Sequence, residues 1–253
     1  MSAQPFEHDF KDTGPIAADR PDVDQPFDQT TRDEMEQLAA RYPDRRSALG
    51  PILHLVQSVD GYVSARGLAA AAAVTGISPA QVQGFATFYT MYRRHPAGQH
   101  HIGVCTTALC AVLGGDAVLE RVRSRLGIAP DQTTPDGRFS LERVECNAAC
   151  DYAPVVMVDW EFMDNMTPEK AEQLIDQLAA GEPVQASRGA TLAGWRQAER
   201  VLAGFDDGLA DEGPSAGEPS RRGTEIAASR GWTADTWPTV GPTVGPAAGK
   251  DRP

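Results

Sequence analysis

The sequence predicts an α+β protein with two folded parts, a small helical bundle over residues 28–95 and a small α/β sheet domain over residues 98–182. Two observations carry this prediction. Apolar residues recur at helical spacing in the first part, and strand-like and helix-like segments alternate in the second. The flanking regions are rich in Pro, Gly and Asp, which predicts a flexible leader over 1–27 and a long, irregular, Gly/Pro-rich extended tail over 183–253.

Four short helices are predicted in the first part. The first lies within "TRDEMEQLAARYP", and the second covers roughly residues 47–59. The third covers residues 64–76. The fourth opens with "SPAQ", in which Ser78 caps the helix and Gln81 completes a capping box. Its expected core face consists of Val82, Phe85, Phe88, Tyr89 and Tyr92.

The second part reads as strand, helix, strand, strand, helix. "QHHIGVC" and "FSLERVEC" predict the first two strands, and "GGDAVLERVRSRLG" predicts the helix between them. "PVVMVDWEFM" predicts one continuous apolar strand followed by a turn, and "TPEKAEQLIDQLAAGE" predicts a capped helix. A sheet with helices packed on it follows from this order.

The composition narrows the function classes. A net charge of −12 and a pI of about 4.8 disfavour nucleic-acid binding, which normally uses a basic face. The N-terminus lacks the basic and apolar regions of a secretory signal, and the longest apolar run is too short to span a bilayer. We therefore expect a cytoplasmic protein, in which clustered cysteines more often bind metal or act chemically than form disulfides.

All four cysteines lie in two spaced pairs that directly follow the first two predicted strands. Cys105 and Cys110 are separated by four residues, and Cys146 and Cys150 by three. Four thiolates suit a 2Fe–2S cluster, and the small residues between them would let the backbone approach the sulfurs. A four-cysteine zinc site, a redox dithiol, two disulfides and four unrelated buried cysteines stay open as alternatives.

Beyond the cysteine spacing, the residues around the second pair carry a family resemblance. C-x₄-C, then 35 residues, then C-x₃-C resembles the thioredoxin-like 2Fe–2S ferredoxin family, which includes the E subunits of bacterial NADH–quinone oxidoreductase (respiratory complex I). The likeness covers about residues 30–182, and Asn147 and Ala148 depart from the Leu and Gly usual in the family. The residues matching the family pattern are Asp136, Phe139, Ser140, Cys146, Cys150, Ala153 and Pro154.

The resemblance implies a thioredoxin-like domain in which Cys105 and Cys110 hold one iron and Cys146 and Cys150 the other. It also implies a subunit of an oxidoreductase and translocase, in the hydrophilic arm of the complex beside a flavin- and NADH-binding subunit. The chain would then associate with the inner membrane only peripherally, through the complex. FMN and NADH would belong to the partner, since "LGGDAV" lacks the G-x-G-x-x-G order of a nucleotide fingerprint.

Two other assignments are alternatives to the interpretation as a subunit of complex I. The same module would serve as the small subunit of an NAD-dependent formate dehydrogenase or an NAD-linked hydrogenase. A zinc-stabilised interaction domain is the alternative from another class. No independent catalytic site is expected in this chain in any of these readings.

Residues outside the cysteine pairs are given mainly structural roles. His100 and His101 are expected at a solvated strand edge, and His54 at the surface or as a satisfied core histidine. Asp151 and Glu145 are expected either to be solvated or to lower the cluster potential through their charge. The tryptophans of the tail are expected either to anchor it on a partner, which is favoured, or to reflect composition alone; they are Trp195, Trp232 and Trp237.

Overall fold

A computed structural model describes residues 25–210, 212–214 and 216–232 of the 253-residue chain. These residues form two compact units, one ending at Pro214 and the other beginning after it. The first unit contains two separate clusters of buried apolar side chains, one in the helical part and one around the sheet. The predicted boundary between bundle and sheet domain remains a prediction, and the two separate cores are compatible with it.

Three of the four helices in this part begin at a residue whose side chain caps the helix. Ser64 accepts the backbone N–H of Gly67, and Ser78 and Gln81 form the predicted capping box. A 3₁₀ turn at Arg45–Ala48 precedes the second helix. The four helices are α1 (Gln29–Ala40), α2 (Leu49–Asp60), α3 (Ala65–Thr75) and α4 (Pro79–Phe88).

The helical core contains side chains from all four helices together with Phe27, which lies at the end of the predicted leader. The rest of that leader, residues 1–24, lies outside the described residues. The predicted core face of α4 is partly wrong. Val82 is buried and Phe85 packs on the core, whereas Phe88 is 78% exposed and Tyr89 44% exposed. The helix ends at Phe88, and Tyr89 has extended backbone, so helical periodicity no longer sets the direction of the aromatic side chains.

The sheet has four strands in the order β2-β1-β3-β4. The pair β1–β2 is parallel, whereas the pairs β1–β3 and β3–β4 are antiparallel. Three further helices belong to this part, and α6 and α7 pack against each other. The elements are β1 (His100–Cys105), α5 (Ala108–Val112), α6 (Gly115–Leu126), β2 (Phe139–Val144), β3 (Val156–Val158), β4 (Glu161–Met163) and α7 (Pro168–Ala180).

The prediction of one continuous strand in "PVVMVDWEFM" is wrong. The segment folds into a hairpin, with Asp159 and Trp160 between β3 and β4 at φ of +52° and +68°. Positive φ at both central residues is typical of the tight turn that suits the twist of antiparallel strands. An aspartate tolerates this conformation better than most residues, and the side chain of Asp159 is also bonded to β1.

The region after residue 183 contains irregular connections, as expected, and two helices that were not predicted. Helix α8 (Trp195–Leu202) packs against α2 within the first unit. Trp195 is 1% exposed and donates its indole N–H to the carbonyl of Gly61, so it is anchored on its own chain. Helix α9 (Glu218–Ser229) belongs to the second unit, where the Arg230 guanidinium lies over the ring of the half-exposed Trp232.

Two expectations remain, one about Trp237 and one about a membrane-spanning segment. Trp237 lies outside the described residues, as does everything after Trp232. Within the described ranges, no helix combines the length and the apolar character that crossing a bilayer would require.

Candidate metal centre

The sheet topology brings the two cysteine pairs to the same edge. Cys105 is the last residue of β1 and is in register with Val144, the last residue of the parallel strand β2. The chain therefore leaves both strands at the same end of the sheet. Cys110 follows in α5, and the second loop carries Cys146 and Cys150.

The four thiols are free and close enough to influence one another. The Sγ atoms of Cys146 and Cys150 are 3.4 Å apart, well beyond the roughly 2.0 Å of a disulfide bond. Burial is the largest cause that raises the pKa of Cys110, and Cys105 and Cys150 raise it further. Cys105 also raises the pKa of Cys150. The two pairs predicted from their spacing thus converge in one cluster of thiols.

One pair is buried and the other is exposed. Cys105 and Cys110 are each 2% exposed and pack with Ala149 and Val155, whereas Cys146 and Cys150 are exposed to solvent. A group bound by all four would have one side against the protein and the other facing outward.

Burial and hydrogen bonds shift the pKa values of Cys110, Cys146 and Cys150. Burial raises the pKa of the Cys110 thiol to about 11. The backbone N–H of Ala148 lowers the pKa of the exposed Cys146 thiol, and the hydrogen bond with Cys146 raises that of Cys150. Cys110 is therefore a protonated thiol at neutral pH in the free chain, and metal binding would have to release its proton.

Backbone and hydroxyl donors surround the sulfurs. The N–H of Ala148 lies 3.4 Å from Cys146 Sγ, and the Thr107 hydroxyl lies 3.2 Å from Cys105 Sγ. The Thr107 side chain also lowers the pKa of Cys146, although less than the N–H of Ala148 does. Thr107 therefore interacts with one cysteine of each pair. Such N–H and O–H groups are the donors that iron–sulfur clusters use to stabilise charge on sulfur.

Two backbone positions hold the loops in shape. Ala148 has φ of +57°, in the left-handed region that favours glycine, where the resembling family usually has Gly. Gly115, at the start of α6, leaves no room for a side chain, because a Cβ atom would lie 2.6 Å from the carbonyl oxygen of Cys105. The helix can therefore pack directly behind the first cysteine loop. Helix α5, which carries Cys110, was not predicted from the sequence, because its five residues are too few to show a helical periodicity.

Two residues within two positions of the second cysteine pair have a buried side-chain atom that lacks a partner in the described structure. These atoms are Nδ2 of Asn147 and the hydroxyl of Tyr152. Buried polar atoms are normally hydrogen-bonded, so their lack of partners among protein atoms is compatible with a polar acceptor in the thiol site. Together with four convergent thiols and nearby donors, they fit a sulfur-rich group such as a 2Fe–2S cluster.

No group of three or more His, Cys, Asp or Glu side chains in the described part of the chain is arranged to hold a metal ion. A binuclear cluster has a different requirement, because it is held by two pairs of thiolates, one at each iron.

His100 and His101 lie at the start of β1, whereas Cys105 lies at its end, and the expectation of a solvated strand edge is wrong. His100 and His101 are 9% and 1% exposed, because β1 is an inner strand with neighbours on both sides. His100 pairs with Asp159 at 2.7 Å, and His101 Nε2 lies 2.9 Å from Glu142. His54 is a satisfied core histidine, as one of the two expectations had it, with Nδ1 at 2.6 Å from Glu199.

The outer surface near the thiols is apolar on one side and acidic on the other. Leu109, Val112 and Leu113 of the α5 region are 44%, 81% and 54% exposed. Glu145 and Asp151, beside the second pair, are also exposed. Sequence reasoning had identified the acidic residues but not the apolar ones, since α5 itself was missed.

The fold and the thiol site together define a class. A profile of the thioredoxin-like [2Fe-2S] ferredoxin family matches residues 35–179, and the chain belongs to this family. Within it, a 195-residue stretch is 51% identical to the NADH-quinone oxidoreductase E subunit of Mycobacterium tuberculosis (strain ATCC 25618 / H37Rv), covering 77% of each chain. The chain is also 35% identical over 162 residues to NADH-quinone oxidoreductase subunit 2 of Thermus thermophilus, covering 63% of this chain and 90% of the relative.

Among solved structures, an air-oxidised NAD⁺-reducing [NiFe]-hydrogenase aligns with 56% of this chain and 25% of its own, at 22% identity and a TM-score of 0.49.

Proposed function

We propose that this chain is the electron-transfer subunit of an NADH–quinone oxidoreductase and carries one 2Fe–2S cluster. Cys105 and Cys110 would hold one iron, and Cys146 and Cys150 the other. The observation that carries the proposal is the convergence of four free thiols on loops that leave adjacent parallel strands, in a member of a 2Fe–2S family. When bound, the cluster supplies reversible one-electron transfer.

The residues of the chain position and tune such a group rather than catalyse a reaction. The buried pair, Cys105 and Cys110, anchors one side in a site of low polarity. Thr107 and the N–H of Ala148 donate toward sulfur and stabilise negative charge there. The exposed pair, Cys146 and Cys150, leaves the other side accessible to an electron donor or acceptor.

Hydride chemistry belongs to a partner in this proposal. The partner is the flavin- and NADH-binding subunit of the hydrophilic arm, and it holds FMN and NADH. The exposed apolar side chains of Leu109, Val112 and Leu113 lie beside the thiol site and would be covered in that interface. Association with the membrane would come only through the complex, on the cytoplasmic side, and neither nucleic-acid binding nor direct membrane insertion is proposed.

Purification under anaerobic conditions tests the cluster. The expected protein is brown, contains about two irons and two sulfides per chain as a Cys₄ cluster requires, and gives a rhombic EPR signal on reduction. Replacing Cys146 by Ser should degrade this signal. A colourless protein that contains zinc under the same conditions would refute the cluster and favour the zinc-stabilised interaction domain.

The assembly is tested by the proteins that co-purify with the full chain. Recovery of a flavin subunit together with quinone-reducing membrane subunits supports the proposal. Recovery of formate dehydrogenase or hydrogenase subunits instead would assign the chain to one of the alternative complexes.

A further inference from the structure

One atom of the Asn147 side chain, the amide nitrogen Nδ2, has no partner among the described residues. This nitrogen is also shielded from solvent. An amide N–H that loses its water contacts without gaining another partner destabilises the folded state. A buried orphan donor therefore calls for an acceptor that the polypeptide does not provide.

The position of Asn147 identifies the kind of acceptor. It directly follows Cys146 in the loop that leads to Cys150, and the N–H of the next residue, Ala148, already lies 3.4 Å from Cys146 Sγ. The loop thus already directs one backbone donor at a cysteine sulfur. The thiolates and bridging sulfides of a 2Fe–2S cluster are the acceptors such a loop would surround.

We propose that the side-chain amide of Asn147 donates a hydrogen bond to a sulfur of the cluster and raises its reduction potential. This inference rests on the proposed function. Reduction adds one electron and makes the sulfurs more negative, so a donor stabilises the reduced state more than the oxidised state. Asn147 is a positioning and tuning residue here, and the four cysteines remain the ligands.

The test compares two variants of the loaded, full-length chain. Asn147→Leu has a similar volume but no donor, and Asn147→Gln retains an amide. The Leu variant should show about a tenfold lower ratio of reduced to oxidised cluster at a fixed potential, which is about 59 mV for a one-electron couple. The Gln variant should recover part of this shift. EPR-monitored redox titration measures both.

A second measurement separates tuning from a purely structural role. In the metal-free chain, Asn147→Leu removes a buried orphan donor, so its midpoint of chemical unfolding should equal or exceed that of the parent chain. A lower midpoint in the metal-free chain would overturn the inference, because it would mean that Asn147 already has a partner within the protein.

The outcomes also distinguish this inference from the proposed function. If the Leu variant holds two irons and two sulfides per chain, as a 2Fe–2S cluster does, but keeps the parent's reduction potential, the role of Asn147 is refuted and the cluster stands. If the parent chain itself binds no cluster, the proposed function fails first. If the Leu variant loses its cluster, Asn147→Ala takes its place, because Ala also has no side-chain donor. Loss of the amide should lower the potential in the same direction, and an unchanged potential in the Ala variant refutes the inference.

Discussion

Glu199 of α8 is the most consequential buried charge outside the thiol site. Its side chain is 0% exposed and accepts three hydrogen bonds. Nδ1 of His54 and Nε2 of Gln57 each lie 2.6 Å from one carboxylate oxygen, and the indole nitrogen of Trp160 lies 2.9 Å from the other. The donors come from α2 and from the β3–β4 turn, so this carboxylate joins the helical bundle to the sheet.

Replacing Glu199 with Ala leaves these three donors buried without their acceptor. An unsatisfied buried donor costs about 1–3 kcal/mol, and removing one partner of a buried charged pair typically costs about 3–5 kcal/mol. We expect Glu199→Ala to lower the free energy of unfolding by about 3–5 kcal/mol. Glu199→Gln retains one acceptor oxygen and should cost roughly half as much.

Chemical denaturation followed by circular dichroism measures this difference. Arg200→Ala is the matched control on the same helix, because Arg200 pairs with Glu34 at a partly exposed position. An ion pair of that kind contributes about 0–1 kcal/mol. If Glu199→Ala costs no more than Arg200→Ala, the carboxylate does not hold the two parts together and the reasoning is wrong.

Four further predictions concern the thiol site. In the metal-free chain at pH 8, iodoacetamide should label Cys146 first and Cys110 last. The backbone N–H of Ala148 lowers the pKa of Cys146, whereas burial raises the pKa of Cys110 to about 11. Mass spectrometry measures the order of labelling, and the reverse order would contradict this prediction. Gly115→Ala should reduce the iron content of the purified protein and cost about 1–3 kcal/mol in chemical unfolding, since its Cβ would clash with backbone, and wild-type values for both would refute the clash. Ala148→Gly should raise the free energy of unfolding by up to about 1 kcal/mol by relieving its positive φ, and a loss in chemical denaturation would contradict that. Asp151→Asn should raise the cluster's midpoint potential in a redox titration by removing a nearby negative charge, and an unchanged midpoint would mean that solvent screens it.

Local chemistry made much of the fold predictable. The capping box of Ser78 and Gln81 marks the start of α4 within the sequence itself, and the structure has that helix begin there. The hairpin at Asp159 and Trp160 was not recognised, because a continuous apolar run has no periodicity that reveals a turn within it. Helix α8 was missed for a related reason: Trp195 is buried through contacts with Gly61 and the bundle, which are distant in sequence.

The thiol site shows the same division between local and distant information. The spacing of the four cysteines indicates two loops, and parallel pairing of β1 with β2 brings them together. The asymmetry between buried Cys110 and exposed Cys146 depends on how the loops pack, and no spacing predicts it. The orphan amide of Asn147 could have been suspected only as a departure from the family's usual Leu.

Strand β1 connects the thiol site to the part of the chain beyond the family match. It ends at Cys105, and at its start the ring of His101 lies 5.0 Å from that of Trp195, whose backbone N–H is bonded to Gln99. Trp195 and Glu199 both belong to α8, which follows the matched residues 35–179. The family region therefore supplies all four cysteines, whereas a later helix fixes the opposite end of the strand that presents the first of them. Because β1 is hydrogen-bonded on both sides, loosening α8 should lower the stability of the fold before it changes the arrangement of the thiols.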